Sequence, residues 1–100
     1  MTIKMSEILD LPPAWAICTA DVQVEMGQVY VHEMWVLGNA GDQVKIYDGV
    51  GTTGKVFTYM IHAADDTEHV PVGLLFHDGL YVDLDSSTDR VIVRYTPLPR

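Results

Sequence analysis

The sequence predicts an all-β protein: an antiparallel β-sandwich, jelly-roll-like, of about seven to eight strands, with a short N-terminal arm. Three observations lead there. Strand-like runs rich in Val, Ile, Tyr and Met recur from residue 15 to residue 96. Gly, Asn, Asp and Pro punctuate them, as at Gly38-Asn39-Ala40-Gly41-Asp42 and Asp78-Gly79. No helical periodicity of useful length follows Pro13.

Residues 1–13 differ from the rest and read as an arm, with residues 14–100 as one sandwich domain. SEILDL has the make-up of one helical turn with Ser6 as its N-cap, stopped by Pro12-Pro13. A helix so short is marginal alone and needs a surface to dock on. Residues 15–26 form the first strand-like run, with Val22 and Val24 alternating against Asp21, Gln23 and Glu25. Residues 29–37 make the longest strand, apolar on both faces under strict alternation: Val29, Val31 and Trp35 against Tyr30, Met34 and Val36. A strand apolar on both faces is covered on both faces, which points to a neighbouring subunit.

Further along, Val44 and Ile46 face inward and Lys45 and Tyr47 outward. Residues 55–63 are a strand of mixed faces, Val56 and Met60 against Phe57, Tyr59 and Ile61. Val70, Val72, Leu74 and Phe76 alternate through a run whose Pro71 and Gly73 indicate an edge strand or a bulge. Asp78-Gly79 reads as a tight hairpin turn. Leu80, Val82 and Leu84 form one inward set, and Val91, Val93 and Tyr95 the last, before Pro97 and Pro99 end the sheet.

Composition narrows the function classes. A net charge of −8, with six scattered Lys and Arg, cannot build a basic stripe and argues against nucleic acid. Cys18 is the only cysteine, so an intrachain disulfide is excluded and a reducing compartment fits. No run approaches a transmembrane span, and the first residues lack an apolar signal core. Synthesis in a cytoplasm, without membrane contact, is the expectation.

Several motifs invite chemistry and decline it. Residues 49–55, GVGTTGK, match the opening of a phosphate-binding loop, but Val56 stands where Ser or Thr would hold magnesium, and a strand follows instead of a helix. Residues 83–89, DLDSSTD, offer hard oxygen ligands for calcium, but an Asp/Ser/Thr-rich turn explains them equally well. His32, His62, His69 and His77 lack zinc spacing, and Ser6, Ser86 and Ser87 lack a nucleophile elbow. Cys18 suits a packed core position. No cofactor, no metal and no enzyme activity are expected. Tyr30, Trp35, Tyr47, Tyr59 and Tyr81 could stack on sugars, but aromatics more often anchor protein interfaces.

Residues 30–49 (YVHEMWVLGNAGDQVKIYDG), 53–61 (TGKVFTYMI) and 71–95 (PVGLLFHDGLYVDLDSSTDRVIVRY) resemble small β-sandwich proteins encoded among the structural genes of tailed bacteriophages. The shared pattern is Ile46-Tyr47-Asp48-Gly49, Gly54-Lys55-Val56, Pro71 to Phe76, Gly79-Leu80-Tyr81-Val82 and the closing Val91 to Tyr95; Glu33 stands where many such proteins carry Gly. The resemblance implies a virion protein: a capsid decoration, or cement, protein that binds the major capsid protein on the outer head as a homotrimer or dimer. The alternative it leaves open is a tail or fibre module that binds host-surface glycans. The residues expected at interfaces are Ile3, Met5, Ile8, Leu9 and Leu11 in the arm, and Tyr30, Trp35, Phe57 and Tyr59 in the body.

Overall fold

A computed structural model of the chain describes residues 4–62, 66–85, 88 and 90–99, with the side chain of Leu9 left out. One short helix, α1 (Met5–Asp10), precedes eight strands. These are β1 (Ala14–Cys18), β2 (Val22–Met26), β3 (Val29–Leu37), β4 (Gln43–Asp48), β5 (Lys55–Met60), β6 (Glu68–Phe76), β7 (Gly79–Leu84) and β8 (Arg90–Pro97). They form two four-stranded sheets, ordered β1-β8-β3-β6 and β2-β7-β4-β5, antiparallel throughout. That is the double-sheet strand order of an eight-stranded jelly roll.

The core follows from alternation. Val44 and Ile46 of β4, Leu80 and Val82 of β7, and Val91 and Val93 of β8 lose all contact with solvent, each set two residues apart as a one-sided strand requires. Cys18 joins them, and burial pushes its thiol up to about 11, so it stays protonated and unreactive near neutral pH. β6 is an edge strand, and Gly73 sits there at φ 64 beside an irregular register with β3, as its proline and glycine led one to expect.

β3 departs from strict alternation. Its register slips between Val31 and Glu33 against both neighbours, so His32 is an extra residue opposite β8. The slip reverses the phase: Val29, Val31, Met34 and Val36 all point inward and are fully buried. The two-sided apolarity read from the sequence is therefore largely the effect of one bulge. What remains outward is Tyr30, Trp35 and Leu37.

Other boundaries also move. Residues 15–26 are two strands on different sheets, separated at Thr19-Ala20. The fifth strand ends at Met60, with Phe57 and Tyr59 on its inner side and Val56 and Met60 outside. Asp78-Gly79 is no hairpin: β6 and β7 belong to opposite sheets, and the turn is a corner between them. The Asp48 carboxylate holds that corner by accepting the backbone N–H groups of His77 and Asp78. Only β4 and β5 are consecutive strands within one sheet; the other connections cross.

In the arm, the helix begins one residue before Ser6. Lys4 is its N-cap, its carbonyl accepting the N–H groups of Glu7 and Ile8, and no side chain caps it. Ile8 is only 3% exposed. A six-residue helix cannot cover one of its own side chains so completely, so α1 is seated through Ile8 while Met5 stays outside.

Candidate functional site

The outer face of the β1-β8-β3-β6 sheet concentrates side chains the core does not use. Strand register lines them up in rows across the sheet. One row runs Trp15, Arg94, Glu33, Pro71; the next runs Ile17, Ile92, Trp35, His69. In β1 the small residues Ala14, Ala16 and Cys18 turn inward, leaving Trp15 57% and Ile17 69% exposed. This reverses the usual arrangement of large residues inside.

The rings form a ladder. Trp15 stacks on Trp35 with centroids 5.3 Å apart and planes at 24°. His69 lies against Trp35 from the other side, at 5.2 Å and 31°. β1 and β6 flank β3 on opposite sides, so the three rings run as one line across the sheet. Such offset contacts favour aromatic pairs by about 0.5–1.5 kcal/mol each.

A small ionic network ties the ladder down. Glu33 accepts from Arg94 Nη1 at 3.0 Å and shares a 2.7 Å hydrogen bond with His69 Nε2. The His69 bond, helped by Arg94, holds the Glu33 carboxyl below its ordinary range against the opposing effect of burial. The Arg94 guanidinium carbon also lies 6.0 Å from the Trp15 ring centroid, within reach of a cation–π contact. At the end of the face, His32 and Thr96 share a 2.7 Å hydrogen bond, with Tyr30 edge-on to the His32 ring. Burial and the Arg94 charge lower the His32 pKa.

The expected interface residues divide. Tyr30 and Trp35 lie on this outer face, and Met5 is exposed on the arm. Ile8 is buried and Leu11 half-buried. Ile3 and the Leu9 side chain lie outside the described residues. Phe57 and Tyr59 pack against the core from β5 instead of facing solvent, because that strand's outward positions are Val56, Thr58 and Met60. Trp15, Ile17, His69 and Arg94 were not anticipated. The signal available was the alternation of small and large residues through 14–18, read as large-out.

A second cluster joins the sheets at their open side. Tyr59 donates its hydroxyl to Glu68 Oε1 at 2.7 Å, and the His62 backbone N–H donates to Glu68 Oε2 at 2.9 Å. Tyr59 is on β5 and Glu68 on β6, so the bond clasps one sheet to the other. The same carboxylate pushes the Tyr59 phenol up to about 12. The residue types suit acid–base work, but the carboxylate is engaged by its own neighbours. Glu68→Gln or Tyr59→Phe should lower unfolding free energy by about 1.5–3 kcal/mol, as for a hydrogen bond to a charged group. Denaturant titration checks it. The raised phenol value sets the pH range: the contribution is complete below the ordinary value of 10 and is lost as pH rises through about 12.

Beside the clasp, an apolar cavity of about 270 Å³ opens between Val56, Phe57, Leu74, Leu75 and Phe76, with Asp48 and Lys55 at its rim. The phosphate-loop lookalike fails on geometry. Lys55 opens a strand, the Gly51 N–H donates to Gln23 Oε1, and the Gly49 N–H donates to the Gly79 carbonyl, so these amides are not free for an anion. Residues 86, 87 and 89 of the calcium candidate lie outside the described residues; Asp85 accepts the Gln43 N–H. Among the described residues, no three His, Cys, Asp or Glu groups converge as a metal ion needs. No protein-family model, curated protein or solved structure matches the chain.

Proposed function

We propose that the chain is a capsid decoration protein, a binding module that attaches to the outer head of a tailed phage and bridges neighbouring major capsid subunits as a homo-oligomer. The observation that carries this reading is the outer face of the β1-β8-β3-β6 sheet. Trp15 and Ile17 stand mostly in water beside Trp35, on a chain whose net charge is −8. A contiguous aromatic and aliphatic patch of this kind marks a surface for another protein.

Jelly rolls host capsid and lectin domains alike, so the fold alone does not choose. The resemblance of residues 30–49, 53–61 and 71–95 to phage structural proteins favours the virion. The arm supplies an attachment point, since Met5 projects from a helix that Ile8 holds in place.

Cryo-EM of intact particles tests the proposal, with density expected on the outside of the head. Density confined to the tail or fibres would overturn it in favour of the glycan module. Met5→Asp leaves Ile8 seated; it should weaken particle binding about tenfold or more without changing the melting temperature. Unchanged binding would remove the arm from the attachment surface.

A further inference from the structure

From the outer face of the β1-β8-β3-β6 sheet we infer that the chain forms an isologous dimer, two copies packing these faces together about a two-fold axis. Its purpose, though not its geometry, rests on the decoration reading: a dimer carries two arms and so can hold two capsid subunits at once.

Charge selects the occupant. The chain has 14 acidic residues, and two copies repel over most of their surfaces. Among the described residues, Glu33 is the only carboxylate projecting from this face. It is already paired within its own chain, with Arg94 as an ion pair and with His69 through a hydrogen bond. Two copies can therefore approach here with their one carboxylate each already paired; Arg90, at the end of β8 opposite Leu37, adds a cation at the rim of the face. A basic partner would be drawn to the acidic loops instead.

The area suits a weak, reversible contact. Strands of five, eight, nine and nine residues, about 4.8 Å apart and rising about 3.3 Å per residue, present roughly 490 Å². Two such faces bury about 1,000 Å² in total, at the lower bound for a specific interface. A flat patch of this kind is complementary to itself in a two-fold arrangement. A trimer needs two different complementary patches on each copy.

Sedimentation velocity on the full chain, from low to high micromolar, tests the inference. A reversible shift from monomer to dimer mass is expected, with tryptophan emission moving to shorter wavelength as Trp15 and Trp35 leave water. Ile17→Asp places a carboxylate at an exposed position, so the fold should persist by circular dichroism. It should weaken the dimer at least about thirtyfold. Thr58→Asp, on the outer face of the other sheet, should leave the dimer unchanged. A wild-type chain that stays monomeric, a trimer mass, or a dimer untouched by Ile17→Asp would overturn the inference. A monomer that still coats phage heads would sink the dimer and spare the decoration role; a dimer absent from heads would do the reverse.

Discussion

Gly54→Ala should destabilise the protein by at least about 3 kcal/mol, a large share of the stability of a domain this size. Gly54 closes the loop between β4 and β5, the only in-sheet connection of consecutive strands. A Cβ added there would sit on the backbone carbonyl oxygen of Asp48. That carbonyl cannot retreat. Asp48 is paired with Lys55 in the β4–β5 ladder, and its carboxylate holds the corner at His77 and Asp78. Moving it disturbs the hairpin and the corner together. Gly51→Ala is the matched control: Gly51 has φ 60, but a Cβ there meets nothing. It should cost only the penalty of a left-handed residue, about 1–2 kcal/mol. Urea unfolding of both variants checks the difference, and equal midpoints would mean the loop does not close as described.

What was legible in the sequence is what strict alternation encodes. Val44 and Ile46, Leu80 and Val82, Val91 and Val93 announce their strands and their buried faces, because each strand is regular and apolar on one side. Sheet partnership was not legible. Asp78-Gly79 has the composition of a hairpin turn, yet the chain uses it to pass from one sheet to the other. Turn residues encode a local reversal of the chain, not the sheet that receives the next strand. The outer aromatic face was half legible. Trp35 was singled out, but Trp15 and His69 meet it from other strands and Arg94 meets Trp15, and only the jelly-roll order brings those strands side by side. The inward turn of Phe57 and Tyr59 was not legible for a related reason. An edge strand with apolar residues on both faces gives no internal sign of which face the opposite sheet covers.

Glu33 carried the unused clue to β3. Unbroken alternation from Val29 and Val31 sends Glu33 and Trp35 into the core and Met34 out to solvent. A carboxylate in that position is too costly unless the strand changes phase, and the bulge at His32 is that change. The two arrangements make opposite demands on neighbouring residues. Met34 is fully buried among valines of both sheets, so Met34→Ala should cost about 2–5 kcal/mol by leaving a cavity. Trp35 is larger but lies on the outer face between Trp15 and His69. Trp35→Ala should cost only about 1–3 kcal/mol of stability, the worth of two aromatic contacts, while its main effect falls on association. Thermal unfolding of the two variants side by side decides the phase. If Trp35→Ala proved the more damaging to the isolated fold, β3 would run unbroken, Glu33 would face inward, and the surface proposed for assembly would lose its central ring.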